Sequence, residues 1–212
     1  MKIPKSLSDI TLKQMEQMLE IQEENTERRR LKEIAILCDM QFEELYGQTD
    51  PREINKIIEG VNWFYGYDSE LEPNFEFEFK GNKYTLMKDF ERSMYIQWID
   101  MSVQSQKYRD NIWTQRRYEL SIYSFKENQT DYFKYSDELE ERAELFKDLT
   151  MDIVYPYIKY YELKKKRLLI LGHQYLESSS QSQNTPNTIK DTMKNGEYME
   201  AFMICVGVIL LN

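Results

Sequence analysis

His173 is the only histidine among 212 residues, so any proton shuttle or metal site built on imidazole would rest on one side chain. Its neighbours Gly172, Gln174 and Tyr175 offer no second ligand at a known metal-binding spacing. Cys38 and Cys205 lie far apart in sequence, and the seven glycines never cluster into a phosphate-cradling loop. Carboxylates are abundant and could in principle form a glycosidase-type acid–base pair or a magnesium site. The densest run, Glu138, Glu140, Glu141 and Glu144, falls on the outer side of a helix whose inner side is Leu139, Ala143, Phe146 and Leu149, the ordinary pattern of a solvated face. The expectation is therefore no catalytic residue, no cofactor and no metal ligand, with a carboxylate- or magnesium-dependent enzyme as the alternative.

The formal net charge is -9 and charged residues make up 31% of the chain, so long-range attraction to phosphate backbones or anionic lipid is weak or repulsive. No nucleic-acid partner is expected. Two short basic clusters, Arg28 to Arg30 and Lys164 to Arg167, are flanked by acids or apolar residues and read as exposed helix faces. Aromatic residues reach 14%, including sixteen tyrosines. They suit partner surfaces, but core filling is the commoner use, also for Trp63, Trp98 and Trp113. The opening Met1, Lys2, Ile3, Pro4, Lys5 has no apolar stretch behind it, which predicts no signal peptide and a cytoplasmic location, where both cysteines stay reduced.

These residues must be positioned by helices and one hairpin. Thr11 and Gln14 form a T-x-x-Q capping box ahead of Leu12, Met15 and Leu19, predicting a helix over 11–23. Leu31, Ile34, Ala35 and Cys38 predict a second, and Phe42, Leu45 and Tyr46 a short third ending at Gly47. Asp50 then caps a fourth with Pro51 at its first position and Glu53 placed to close a box; Ile54, Ile57, Ile58 and Val61 form its stripe.

At residues 74–79 the period changes to two. Phe75, Phe77 and Phe79 alternate with Glu76 and Glu78, and a Gly81-Asn82 turn sets Phe79 against Tyr84 and Phe77 against Leu86, with every apolar side chain on one face. Two strands alone are marginal in water, so the hairpin must lie on helices or pair elsewhere, and Phe75, Phe77, Phe79 and Tyr84 become candidate partner contacts.

Met94, Tyr95, Trp98, Ile99 and Met101 follow helical spacing, and Asp110 is placed to cap a further helix carrying Trp113 and Leu120. Residues 117–125 fit helix or strand, with helix preferred. Ser136 caps a helix over 137–149, and Thr150 starts a long one to about 176, with Pro156 early in it.

Residues 178–190 are a polar linker with no apolar periodicity. Residues 201–211 carry no charge but fall short of the ~20 residues that span a bilayer. They read as a docking strand or short helix, with Phe202, Ile204, Val206, Val208 and Ile209 as candidate partner contacts. The division is 1–70 helical, 71–177 hairpin plus helices packed on it, 178–190 linker and 191–212 docking segment. The fold class is α+β, predominantly α-helical.

In the order of its blocks the chain resembles a group of small tailed-bacteriophage morphogenesis proteins. Ile3, Pro4, Lys5, Ser6, Leu7, Ser8, Asp9, Ile10, Thr11 and Leu12 are similar to the group's Pro-x-Ser-Leu-x-x-Ile-Thr-Leu start. The hairpin Phe77 to Tyr84 and the run Lys147 to Asp152 follow its later blocks. The chain departs at Arg92 to Trp98, where the group has Gly-Glu-Tyr-Ile-Asp, and near Tyr123, where Tyr-Arg-Pro is missing. The resemblance spans about residues 3–170. It implies a non-enzymatic assembly or structural protein, either a tail-assembly chaperone or a connector or tail-ring component. Its partners would be phage tail or connector proteins or further copies of itself, in the host cytoplasm or the virion. A membrane-associated adaptor anchored by 201–211 is the alternative, although no membrane contact is expected.

Overall fold

A computed structural model of the chain describes residues 2–47, 50–67, 72–89, 93, 95–127, 129, 132 and 136–181, with side chains in the last helix up to residue 167 and at 170. The fold is α+β and predominantly helical. In order come α1 (Leu12–Leu19), α2 (Thr26–Leu37), α3 (Phe42–Tyr46), α4 (Pro51–Tyr65), β1 (Glu76–Phe79), β2 (Asn82–Leu86), α5 (Tyr95–Lys107), α6 (Ile112–Tyr123), β3 (Ser124–Lys126), α7 (Leu139–Phe146) and α8 (Met151–Gln181).

Local capping chemistry sets several of these boundaries. The Thr11–Gln14 capping box forms as expected, and Gln14 Nε2 also donates to the Ile36 carbonyl at 2.8 Å, tying α1 to the end of α2. Helix α1 stops at Leu19 rather than 23. The polar stretch before Leu31 is itself helical, because Asn25 accepts from the Arg28 N–H and starts α2 five residues earlier. Asp50 caps α4 through the Arg52 N–H with Pro51 at the first position. Asn111, not Asp110, caps α6 by accepting from the Thr114 N–H. Ser136 begins a short 3-10 turn, and the helix after it ends at Phe146 rather than 149.

The hairpin forms with its turn one residue earlier than the sequence reading placed it. Lys80 and Gly81 occupy the two turn positions at φ 46° and 78°, the double positive φ of a type I′ turn. Phe77 therefore faces Tyr84 rather than Leu86, and Phe79 faces Asn82. A one-residue turn shift moves the register by two, which preserves the faces, so Phe77, Tyr84 and Leu86 all point into the core. The ambiguous stretch 117–125 is both things in succession: α6 runs to Tyr123, then β3 pairs antiparallel with β2, Thr85 opposite Phe125. This third strand and the helices beneath remove the marginality of an isolated pair.

The larger core joins the N-terminal Leu7, Ile10 and Leu12 to the sheet, α6, α7 and the first three turns of α8. A bridge between Thr11 and Thr150 fixes α1 to the start of α8, with Met151 N donating to the Ile10 carbonyl at 2.8 Å. Phe77 stacks on Tyr84 at 5.3 Å, and Phe146 meets Tyr84 edge-on at 5.2 Å. Tyr123, Tyr132, Tyr157 and Tyr161 are buried, so much of the aromatic excess fills the core. A smaller cluster gathers Ile34, Ala35, Cys38, Leu45, Ile57 and Val61 from α2, α3 and α4.

Helix α8 continues through Gln181, so residues 178–181 of the predicted linker are helical. Once a helix is nucleated, each further residue adds one hydrogen bond, which carries it past the last apolar position. Residues 182–190 of that linker and the segment 191–212 lie outside the described residues.

Candidate functional site

His173 lies in the backbone of α8 with its side chain outside the described set, and Cys205, Phe202, Ile204, Val206, Val208 and Ile209 lie outside the described residues altogether. Cys38 is fully buried, and burial pushes its thiol pKa up, the opposite of what a nucleophile needs. Among the described residues no group of three or more His, Cys, Asp or Glu is placed to hold a metal ion. Glu138, Glu140, Glu141 and Glu144 are exposed.

The hairpin aromatics need a correction. Phe77 and Tyr84 are 6% and 3% exposed and have no surface to offer a partner, because the apolar face that made them candidates is the face that seats the hairpin. Phe75 and Phe79 are half-buried; Phe75 meets Tyr160 edge-on at 5.0 Å.

Charged residues of α1, α7 and α8 converge on α6. Arg117 Nε approaches Glu16 Oε1 of α1, and Nη1 of the same guanidinium reaches Glu144 Oε2 of α7 at 3.5 Å. Its neighbour Arg116 contacts Glu119 Oε2 at 2.5 Å and also pairs with Glu162 of α8. Tyr118 donates to Glu140, stacks on Tyr108 at 5.0 Å, and lies with it under the Lys107 ammonium. Arg116, Arg117 and Tyr118, with Glu119 backing Arg116, thus tie α6 to α1, α5, α7 and α8. One signal in the sequence marks this stretch: residues 117–125 fit helix and strand alike.

Glu119 is the group here with acid–base capacity. Burial pushes its carboxyl pKa up to about 7 against the pull of the Arg116 guanidinium. Its Oε1 has no hydrogen-bond partner, and the side chain is 0% exposed. A depression of about 330 Å³ between Ile112, Trp113, Tyr155 and Ile158 reaches Arg116 and Glu162 but is not lined by Glu119. The arrangement locks helices together.

The basic cluster of α2 is likewise committed within the chain. Arg28 sits 5.6 Å from the Phe42 ring and 3.4 Å from Glu23, Arg29 pairs with Glu33 at 3.3 Å, and Arg30 donates to Asn62 at 2.9 Å.

Helix α8 behaves differently along its length. Met151, Val154, Tyr157, Ile158 and Tyr161 pack inward. Beyond Tyr161 none of the described side chains is buried: Glu162, Leu163, Lys166, Arg167 and Ile170 are exposed, with Leu163 at 63% and Ile170 at 49%. At 1.5 Å per residue the stretch from there to Gln181 is roughly 30 Å of helix. Leu163 and Ile170 stand seven residues apart and so share one face.

No protein family, curated protein or solved structure matches the chain.

Proposed function

We propose that the protein is a non-enzymatic assembly or structural protein of a tailed bacteriophage, acting through protein–protein contacts as a tail-assembly chaperone or as a connector or tail-ring component. The observation that carries the contact reading is the stretch of α8 beyond Tyr161, where among the described side chains Leu163 and Ile170 are exposed on one face with the cations Lys164 to Arg167 between them. Such a helix suits insertion into a partner's apolar groove, the aliphatic pair serving as anchors and the cations as a polar flank. The resemblance of residues 3–170 to phage morphogenesis proteins supplies the setting. The buried charges of α6 support the same reading, since each is spent on holding helices together.

Lys164, Lys165 and Lys166 make the idea testable without substitution. Amine cross-linking of the tagged full chain in phage-producing cells is expected to join these lysines to a tail or connector protein. Cross-links from them confined to the chain itself would count against the proposal. Mass spectrometry of purified virions then separates the roles, because a chaperone is absent from particles and a ring component is present at fixed copy number.

A further inference from the structure

Lys166 and Arg167 are adjacent, exposed and, among the described residues, in no ion pair, although the 37 acids of the chain outnumber its 28 bases. Glu162, the nearest acid in α8, is taken up by Arg116, and the Lys164 ammonium sits over the Tyr160 ring at 5.6 Å. Position sets the two cations apart from an ordinary solvated run. They follow Leu163 by three and four residues and precede Ile170 by four and three, so all four side chains share one face. Two exposed aliphatics thus stand about 10 Å apart along the axis with two unneutralised cations between them.

We infer, on the reading that this face holds a protein partner, that the partner is acidic: it meets Leu163 and Ile170 with apolar side chains and sets Asp or Glu carboxylates against Lys166 and Arg167 in between. Charge argues against the other occupants. A second copy using the same face would bring cations onto cations. An antiparallel two-fold pair that seats Leu163 on Ile170 sets Lys166 against Arg167, and a parallel pair sets each cation against its own copy. A helix lying on an anionic membrane carries its cations on the face opposite its aliphatics, whereas here they share one. Arg167 can take a carboxylate through two parallel N–H bonds, which fixes its position as well as its charge. Anchors seven residues apart are the spacing of a helix seated in a groove, so residues 163–170 are enough to make the contact.

A synthetic helical peptide with leucines at heptad spacing and flanking glutamates stands in for the partner, beside a control with lysine at every glutamate. Fluorescence anisotropy at physiological salt, where charges beyond about 8 Å are screened, is expected to show the full chain binding the Glu peptide at least about tenfold tighter than the Lys peptide. Lys166→Glu with Arg167→Glu is expected to reverse the preference, and Leu163→Ser with Ile170→Ser to weaken both complexes several-fold, with helical circular dichroism unchanged. Should the first pair fail to fold, Lys166→Gln with Arg167→Gln must abolish the preference. The chain is expected not to float with vesicles of phosphatidylcholine and phosphatidylserine. Equal binding of the two peptides, binding of neither, a preference unmoved by the charge variants, or flotation that those variants abolish overturns the inference. Peptide discrimination with lysine cross-links confined to the chain would sink the phage partner alone; cross-links to a tail protein without discrimination would sink the acidic partner alone.

Discussion

Arg117 Nε lies 2.9 Å from Glu16 Oε1, and each side chain is only 8% exposed. The two atoms meet as an ion pair rather than an aligned hydrogen bond, and burial raises the Glu16 carboxyl pKa despite the guanidinium beside it. At Glu16 desolvation thus outweighs the attraction set in the balance against it, as is common for buried pairs.

Removing one partner should therefore cost far more than removing both. Arg117→Met strips Glu16 of the guanidinium in contact with it, leaving only Thr114 and the weaker pull of Lys147, and is expected to lower unfolding free energy by about 3–5 kcal/mol, whereas the double variant Glu16→Leu, Arg117→Met should recover most of that loss. Urea denaturation reads both. A double variant as unstable as the single one would contradict the balance.

Glu119 predicts an unusual pH slope. Its carboxyl is held up to about 7 in the folded chain against an ordinary 4.5, so between those values the folded state holds a proton that the unfolded state has released. The stability it contributes is full below pH 4.5 and is lost as pH rises to 7, about 3 kcal/mol in all. Denaturation at pH 5 and pH 8 should show the wild type losing most of this amount relative to Glu119→Gln, which cannot ionise. Parallel slopes would rule it out. Asp9, Glu23 and Glu144 are shifted downward by their lysine partners and act in the opposite sense, but only below pH 4.5.

The β1–β2 turn is open to improvement. Lys80 holds a left-handed conformation at φ 46°, which costs a side-chain-bearing residue on the order of 1 kcal/mol. Lys80→Asn suits a type I′ turn and should stabilise the chain by about 0.5 kcal/mol, even after losing the ion pair to Asp148, in which both side chains are half exposed. Gly81→Ala should destabilise by about 1 kcal/mol; a Cβ there meets no atom within 4 Å, and φ is +78°, so the penalty is purely conformational. Shifts of the urea midpoint in these opposite directions check the turn assignment.

What the sequence made legible was local. The capping box at Thr11, the Asp50-Pro51 start of α4 and the faces of the Phe hairpin all follow from a few adjacent residues, and each is present. The turn was misplaced by one residue because Gly81-Asn82 and Lys80-Gly81 keep identical faces. Strand β3 was ambiguous because its identity comes from β2, forty residues away in the chain. The Arg117–Glu16 pair was invisible because charged residues are assigned to water unless a partner is known, and that partner lies on another helix. Helix α5 was recognised as a helix, but only packing reveals that its glutamines point inward.

The claim on which the functional account depends is that the exposed face of α8 holds a partner during assembly. If the proposed phage setting holds, complementation in a phage carrying the gene tests it most directly: a deletion is expected to abolish infectious particles and the wild-type chain to restore them. The variant Leu163→Glu, Ile170→Glu, folded and equally abundant, should fail to do so. Normal particle yield from the deletion, or full rescue by the double variant, would contradict the account.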